Sequence, residues 1–292
     1  MEIFLTLSEE LHFGRTAERL HVSSARVSQA IKKQERSIGA ELFERTSRQV
    51  RLTPVGQQLR DDLRPVYQGL KASVERARLS AQGKTDVLRI GLMVSNTYEL
   101  RPFWDAFRSL NPQWGLRLRY HGFIDPFGPL RRGEIDMLLT WLPVEEPDLS
   151  VGPVLFQESR VAAVASDHRL ADRGSVSAEV FADFGVIGGE SLLPDYFQDA
   201  LMPFYTPSGR AIERADFAVT DLVGIFAIIS SGDAIHNLGA QCTRFHARPD
   251  ITYLHLHDAP LLRWGLVWRS ANDNPMIRSL VRIARELGTM TL

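Results

Sequence analysis

Four polar side chains between positions 24 and 33 have the types and the spacing that suit contact with DNA bases. Ser24, Arg26, Gln29 and Lys33 recur at helical intervals, so a helix would present them together on its outward face. Arg and Gln carry the donors and acceptors that match guanine and adenine edges in the major groove. Ser23 or Ser24 suits the N-cap of such a helix. The pattern predicts a recognition helix whose DNA-contacting residues are Ser23, Ser24, Arg26, Gln29 and Lys33.

Three arginines follow on a predicted β-hairpin. Residues 42–45 and 49–52 are typical of short strands, and residues 46–48 would join them. The hairpin would have no apolar face for its three arginines to cover, namely Arg45, Arg48 and Arg51. Such side chains commonly contact DNA phosphates. The hairpin would then be the wing of a winged helix-turn-helix. The alternative is a plain three-helix module whose arginines are solvated.

Two short helices around a tight turn would position these side chains. Apolar spacing predicts the first helix over residues 15–20 and the turn over residues 21–23. The second helix would end at Gly39, which can adopt the left-handed conformation of a helix C-terminus. Val27 and Ile31 would face inward and hold this helix against the first one.

A long helix with an apolar stripe is predicted next. Thr53 and Pro54 suit a helix start, with threonine as N-cap and proline at the first helical position. Apolar residues then recur every three or four positions, namely Leu59, Leu63, Val66, Leu70, Val74, Ala77 and Ala81. Leu59, Leu63, Val66 and Leu70 would form a dimerisation seam with a second subunit. The alternative is that they pack against the chain's own N-terminal module, and both arrangements are compatible. Pro65 would kink the helix or leave it locally open, and residues 82–85 are typical of a hinge.

From Val87 onward, strands and helices alternate. The order β-α-β-α-β over residues 87–141 predicts a parallel sheet. Further elements are predicted at residues 151–156, 160–165, 185–188, 221–230, 254–257, 262–269 and 275–287. Two strands that cross between two α/β lobes would make a clamshell. Ligands of such sheets bind in the crevice at the carboxyl ends of the strands.

Candidate crevice residues lie where the predicted strands end. Ser95, Asn96 and Thr97 follow the first strand and open the next helix, where hydroxyls and free N–H groups make an anion site. Simple helix capping accounts for the same residues equally well. Trp141 ends the third strand and would wall the cleft, although core packing is the more common role of such a residue. Thr220 would face the cleft from the other lobe.

The N-terminal motifs are similar to those of a known family. The run AERLHVSSARVSQAIKKQERSIGAELFERTSRQVRLTPVGQQL closely resembles the DNA-binding domain of LysR-type transcriptional regulators, and the resemblance continues more weakly through the remaining chain. It implies a winged helix-turn-helix, a long linker helix and an effector domain like a periplasmic binding protein. It also implies a homodimer or homotetramer on an interrupted palindrome of double-stranded DNA, and contact with RNA polymerase at activated promoters.

The sequence departs from the family pattern at two places. Family members usually begin a few residues earlier, so Met1 falls inside their first helix; either the start lies further upstream or this first helix is short. The family's effector site uses the loop that holds Ser95, which carries over by position. Its second contact, commonly Ser or Thr, falls here at Gly122 and Phe123. Loss of the hydroxyl and gain of an aromatic ring favour a flatter or more apolar effector.

Charge is distributed unevenly along the chain. Residues 1–85 hold 15 Lys and Arg against 10 Asp and Glu, a net of +5, and the remainder has a net of −6. A basic head on an acidic body suits DNA binding by one domain only. Cys242 is the only cysteine, which excludes a disulfide framework and a cysteine-based zinc site. Without a signal peptide or a long apolar run, we expect a cytoplasmic protein that does not enter a membrane.

Catalytic and metal-binding patterns are weak. His255 and His257 alternate on a predicted strand and share a face, but without an evident third ligand such histidines are more commonly solvated or packed. His236 would reach the cleft or cap the helix before it. The sequence holds no P-loop, dinucleotide fingerprint, nucleophile elbow or recognisable acid–base pair. We expect neither an enzyme nor a bound metal or cofactor.

The predicted organisation has three parts. Residues 1–53 would form a mostly α-helical winged helix-turn-helix, residues 54–85 a linker and dimerisation helix with its hinge, and residues 86–292 an α/β effector-binding domain of two lobes. Lobe I would comprise about 86–164 and 266–292, and lobe II about 165–265. The expected function is sequence-specific transcriptional regulation modulated by a small molecule in the cleft. The alternative is an effector-independent repressor that keeps the C-terminal domain only for oligomerisation.

Overall fold

The chain divides into two compact units, residues 1–82 and 83–292. A computed structural model describes residues 1–45, 49–81, 83–188, 193–217, 219 and 221–292, and of residues 45, 68, 72, 75, 76 and 216 it describes the backbone alone. The elements of the first unit are α1 (Glu2–Glu10), α2 (Phe13–Arg19), α3 (Ser24–Ile38), β1 (Phe43–Arg45), β2 (Val50–Leu52) and α4 (Pro54–Ala81).

The first unit is a winged helix-turn-helix, as the sequence predicts. Ser23 caps α3 by accepting a hydrogen bond from the Arg26 backbone N–H at 3.2 Å, and Gly39 ends the helix with φ of +80°. Strands β1 and β2 pair antiparallel, with Glu44 opposite Arg51. The tip that would join them, Thr46, Ser47 and Arg48, lies outside the described residues.

Helix α1 supplies much of the core of the first unit. Phe4 and Leu7 are completely buried there, and Phe4 meets the Phe43 ring edge-on at 5.6 Å between centroids. Val27 and Ile31 of α3 complete the same cluster, as their inward spacing predicts. The wing strand β1 is thereby anchored to the helices through an aromatic contact.

The apolar stripe of α4 has two separate environments. Leu59 and Leu63 pack, partly buried, against the core of the first unit, which was the alternative to pairing. Val66, Leu70 and Val74 are instead exposed, with 66%, 59% and 46% of their surface accessible in this single chain. The stripe therefore stabilises its own unit at one end and presents an unpaired apolar face at the other. The helix assignment runs unbroken through Pro65, and a kink there stays a prediction.

The second unit alternates strands and helices along its whole length. Its first half holds β3 (Asp86–Leu92), α5 (Arg101–Leu110), β4 (Trp114–Tyr120), α6 (Gly128–Arg131), β5 (Met137–Trp141), β6 (Leu149–Glu158), β7 (Arg160–Ala165) and β8 (Ser175–Val176). A 3₁₀ helix (Ala178–Ala182) follows, then β9 (Val186–Gly188), α7 (Asp195–Leu201), β10 (Arg214–Asp216), α8 (Leu222–Ser231) and β11 (His236–Gly239). The last elements are α9 (Cys242–Phe245), β12 (Ile251–Leu256), β13 (Leu262–Arg269), α10 (Pro275–Leu287) and β14 (Met290–Thr291).

Two main sheets define two lobes. Lobe I holds a sheet of order β14-β6-β13-β5-β3-β4, and lobe II holds one of order β11-β7-β12-β8 with the short pair β9–β10 beside it. Strand β3 is parallel to β4 and β5, as predicted, but β13 returns antiparallel between β5 and β6, so the sheet is mixed. The chain crosses between the sheets at residues 158–160 and 256–262, earlier than the predicted boundaries at 164 and 266, because β7 pairs with β11 and β12.

Buried aromatic and aliphatic residues from two helices pack against the lobe I sheet. Phe103 and Phe107 of α5 and Ile277 and Leu280 of α10 are completely buried there. Phe123 touches both this cluster and one in lobe II, so it lies where the lobes meet. Among the described helices, none combines the length and the apolar content needed to cross a membrane.

Candidate functional site

The outward face of α3 carries the predicted base-reading residues. Ser24, Arg26, Gln29 and Lys33 are all exposed, while Val27 on the opposite side is completely buried. The side chains of Arg26, Gln29 and Lys33 make no hydrogen bond or ion pair with any other described residue. With no partner among the described residues, they are available to an external ligand.

Other arginines of the first unit are engaged inside it. Arg19 pairs with Glu9 at 3.0 Å and with Glu10 at 2.8 Å, and Arg64 of α4 pairs with Glu9 at 3.2 Å. These carboxylates raise the pKa of the Arg19 guanidinium, first through the hydrogen bond that Arg19 donates to Glu10. The network joins α1, α2 and α4, and it does not include Arg26 or Lys33 of α3.

On the wing, the structure places one predicted phosphate-binding residue. Arg51 of β2 is exposed, and so is Glu44, which lies opposite it in the hairpin. The Arg45 side chain and the whole of Arg48 lie outside the described residues, so their phosphate contacts stay predictions.

A cavity of about 550 Å³ lies between the two lobes of the second unit. Most of its wall is apolar or aromatic, including Met93, Tyr120, Phe123, Ile124, Trp141, Ile187, Phe217, Leu222, Ile225, Leu238 and Trp264. Ligand pockets for small molecules commonly have volumes of about 300–1,000 Å³ and predominantly apolar linings. Size and lining together favour a small, largely apolar molecule.

The Ser95 loop lines this cavity but is not a free anion site. The backbone N–H groups of Ser95 and Asn96 both donate to Gln241 Oε1, at 3.0 and 3.2 Å. Ser95 Oγ lies 2.6 Å from His246 Nε2. The expectation of free N–H groups is therefore wrong for this conformation, because lobe II side chains already occupy them. Helix α5 also begins later, at Arg101, so the loop does not open it directly.

The neighbouring predicted residues have different places. Asn96 is completely buried, and its Nδ2 donates to Glu99 Oε2 at 3.2 Å. Neither Asn96 nor Thr97 is among the described residues that line the cavity. Thr220 lies outside the described residues. Of the predicted effector residues, the structure thus brings together Ser95, Phe123 and Trp141.

Trp141 combines the two roles that its position suggests. Its ring stacks on Phe197 at 4.3 Å between centroids, and its Nε1–H donates to the Phe197 carbonyl at 2.9 Å. Only 4% of its surface is accessible, yet part of the ring faces the cavity. Trp141 is therefore a fixed wall, since both its ring and its N–H are held by α7.

A buried carboxylate orients Gln241, which sequence reasoning missed. Glu158 accepts hydrogen bonds from the Gln241 backbone N–H at 2.6 Å, from Gln241 Nε2 at 3.2 Å and from Trp264 Nε1 at 2.7 Å. Burial raises the pKa of this carboxyl, and the three donors oppose that rise. Gly239 permits the arrangement, because a Cβ there would lie 2.3 Å from Glu158 Oε1.

Sequence reasoning also missed the charged group of the cavity. Among the described lining residues, Arg214 carries the only formal charge, and it lies on the lobe II side with His236. His236 was predicted either to reach the cleft or to cap a helix, and it reaches the cleft from β11. Burial, aided by Arg214, lowers the pKa of His236 to about 4, so this imidazole is neutral near pH 7.

Metal binding has no support in the described part of the chain. No group of three or more His, Cys, Asp or Glu residues there could hold an ion. His255 and His257 are both exposed on β12 and the turn after it.

Comparison with known proteins identifies the family. A family model described as LysR substrate binding domain matches residues 81–289, and a model for bacterial regulatory helix-turn-helix proteins of the lysR family matches residues 1–57. The uncharacterized HTH-type transcriptional regulator YnfL of Escherichia coli is 31% identical over 252 residues, 84% of this chain and 82% of that protein. The DNA-binding transcriptional dual regulator OxyR of Escherichia coli is 29% identical over 92% of this chain and 88% of its own.

A solved structure gives the same fold. Full-length CbnR complexed with its target DNA superposes with a TM-score of 0.64 at 19% identity, over 98% of both chains. This chain therefore belongs to the LysR family of DNA-binding transcriptional regulators, with a helix-turn-helix domain followed by an effector-binding domain. The predicted family and fold class are confirmed.

Proposed function

We propose that the protein regulates transcription from a specific operator and that a small molecule in the cavity between the lobes changes this activity. The observation that carries the proposal is the division of labour between the two units. An exposed, unengaged polar face with Arg26, Gln29 and Lys33 lies in the first unit, and an apolar cavity of about 550 Å³ lies in the second. A regulator needs both a base-reading surface and a separate site for its signal.

In this proposal, the side chains of α3 read the DNA bases. Ser24, Arg26, Gln29 and Lys33 reach base edges or their flanking phosphates, while Ser23 caps the helix. The wing residues Arg45, Arg48 and Arg51 hold phosphates, which supplies salt-dependent affinity without sequence preference.

The exposed part of α4 supports self-association. Val66, Leu70 and Val74 recur at intervals of four, which places them along one side of the helix. Burying them against a second copy removes apolar surface from water and brings two DNA-binding units together. Two such units match an interrupted palindrome, whose half-sites are related by the same two-fold symmetry. A tetramer would be formed from two of these pairs.

Regulation follows from a shift between lobe arrangements. A ligand changes an equilibrium only if it binds one arrangement more tightly than the other. A molecule between the lobes contacts both walls, so it favours the arrangement in which both contacts form. The resulting change in the spacing of paired DNA-binding units alters operator occupancy or contact with RNA polymerase at activated promoters.

A thiol-based signal is disfavoured by the one cysteine. Cys242 is buried, and burial raises the pKa of its thiol to about 12, which suppresses the reactive thiolate. With no second cysteine in the sequence, an intramolecular disulfide is excluded. The raised thiol pKa and the cavity together favour non-covalent binding as the signal.

The experiment is an operator-binding titration with the full chain. Fragments of the source genome would be selected on purified protein, and the enriched site would be titrated with and without compounds that raise the melting temperature. The proposal expects at least one stabilising compound to change operator affinity or DNA bending. Stabilising compounds that leave every DNA parameter unchanged would instead favour the effector-independent repressor.

A further inference from the structure

The lobe II side of the cavity contains a cation, Arg214, whose charge Asp199 and Asp195 offset only from beyond ion-pair distance. Arg214 lies in β10, and its guanidinium forms no ion pair with a described residue. One Nη2–H donates to the Met202 carbonyl, and the guanidinium lies 4.2 Å from the Phe204 ring centroid. Its Nε is buried and has no hydrogen-bond partner among the described residues. A partly buried cation of this kind is stabilised by an anion.

His236 adds a second polar group on the lobe II side of the cavity. Only 6% of its surface is accessible, and its Nδ1 has no hydrogen-bond partner among the described residues. The strands explain the proximity: Arg214 pairs with Val186, and Val186 bridges to Ile235, the residue before His236. A buried imidazole without a partner costs free energy that a ligand group could recover.

The Ser95 loop of lobe I offers much less to an anion. Gln241 already accepts from the N–H groups of Ser95 and Asn96, and His246 already pairs with the Ser95 hydroxyl. A ligand acceptor at Ser95 would have to displace these lobe II groups. At Arg214 it would displace none of the described hydrogen bonds.

The apolar walls of the cavity define the rest of the ligand. The rings of Phe123, Trp141 and Phe217 line the cavity, and Ile187 and Leu238 face it from lobe II. Flat apolar molecules make favourable contacts with such surfaces. A single guanidinium neutralises one negative charge, so a monoanion suits this cavity better than a phosphate dianion.

We propose that the effector is a planar, largely apolar carboxylate, and that its carboxylate binds at Arg214 and His236 in lobe II rather than at the Ser95 loop. The proposal rests on the sensor function proposed above and names the ligand class and the anchor for it. Phe123 and Trp141 then contact the apolar body. Ser95 contributes to the lobe arrangement and not to recognition of the charge.

The test uses 2-naphthoate as probe and 2-naphthamide as its uncharged match, with acetate as the carboxylate without an apolar body. Binding to the full-length protein would be followed by titration calorimetry for wild type, Arg214→Gln and Arg214→Lys. Arg173→Gln is the control, because Arg173 is an exposed arginine in the same lobe. Operator binding would be measured in parallel with and without 2-naphthoate.

We expect 2-naphthoate to bind wild type and Arg173→Gln with equal affinity. Its affinity for Arg214→Gln should be lower by about ten-fold or more, as expected for loss of a charge-assisted hydrogen bond. Arg214→Lys should lie between them, since it keeps the charge and loses the planar fork. Equal affinity of 2-naphthamide and 2-naphthoate for wild type would overturn the anionic anchor without reliance on any variant.

Absence of 2-naphthoate binding to wild type would overturn the ligand class, and full affinity for a folded Arg214→Gln would overturn the anchor. Binding that depends on Arg214 but leaves operator affinity and bending unchanged would support the anchor and count against the sensor function. The two proposals are thus distinguished by separate readouts.

Discussion

Ser95 Oγ and His246 Nε2 lie 2.6 Å apart and join the two lobes of the effector-binding domain. Ser95 follows a strand of the lobe I sheet, and His246 follows the short helix α9 of lobe II. Beside this pair, Arg244 donates to both carboxylate oxygens of Glu99 at 2.9 and 3.0 Å. We refer to Ser95, Glu99, Gln241, Arg244 and His246 as the latch. A ligand that re-angles the lobes must strain or break the latch.

The latch predicts a stability effect of Ser95 in the absence of ligand. Ser95→Ala removes one partly buried hydrogen bond and should lower the free energy of unfolding of the effector-binding domain by about 0.5–1.5 kcal/mol. Urea unfolding of the full chain would measure it. Ser109→Ala is the matched control, because Ser109 is exposed and its hydroxyl has no hydrogen bond to a described residue; it should lie within about 0.5 kcal/mol of wild type. Equal stability of all three proteins would mean that the Ser95–His246 pair contributes nothing to lobe closure.

His236 predicts an acid-dependent loss of stability. Its pKa in the folded protein is about 4, below the ordinary value of 6.5, so the folded state binds fewer protons than the unfolded state. The stabilisation is fully present above pH 6.5 and is lost as pH falls towards 4, by at most about 3 kcal/mol. His236→Gln should remove this part of the slope, whereas His168 and His246 titrate in both proteins. Parallel stability curves between pH 7.5 and 5 for wild type and His236→Gln would contradict the buried, neutral imidazole.

The contrast between the two units shows what a sequence can predict. In the first unit the signals are local: Ser23 caps its own helix, Gly39 ends it, and Val27 lies one turn from Ile31. The cavity is different because its polar groups meet only in the fold. Ser95 and His246 are 151 positions apart in sequence, and Gln241 acts on the Ser95 loop from a similar distance.

Short strands and distant strand pairing explain why the sequence did not predict Arg214 or the mixed sheet of lobe I. Arg214 lies in a strand of three residues, too short to show an alternating pattern, and it reaches the cavity through pairing with Val186. Trp141 was predictable because it ends a strand with a clear apolar run. Phe123 was predictable only from the family resemblance, because the second effector contact of the family falls at its position. The mixed character of the lobe I sheet was not, since β13 arrives from residues far along the chain.

The exposed part of α4 predicts a change in assembly. Leu70→Asp places a charge in the proposed seam and should convert oligomers to monomers, at a cost of several kcal/mol if the seam is buried. Sedimentation velocity would measure this, with Gln57→Asp as control, because Gln57 is exposed and lies two and a half turns before Val66, on the other side of the helix. Leu63→Asp should instead destabilise the DNA-binding domain, since Leu63 packs in its core. An unchanged oligomer in Leu70→Asp would place the interface elsewhere.

Base readout and phosphate contact predict different responses to arginine loss. Arg51→Ala should weaken specific and random DNA alike and reduce the salt dependence of binding by about one unit. Arg15→Ala is the control, because Arg15 is turned towards Glu10 at 3.4 Å within its own unit. Fluorescence anisotropy at several salt concentrations would measure all three proteins. A salt dependence unchanged by Arg51→Ala would exclude the wing from phosphate contact.

The most direct test of sequence-specific regulation is selection of genomic DNA on the purified full-length protein, run in parallel with Arg26→Ala. Wild type should enrich a small set of sites that share an interrupted palindrome. Arg26→Ala should lose about 1–3 kcal/mol on those sites while keeping its affinity for random DNA. Equal losses on both kinds of DNA, or no common site enriched by wild type, would contradict base readout by α3 and with it the assignment of this protein as an operator-specific regulator.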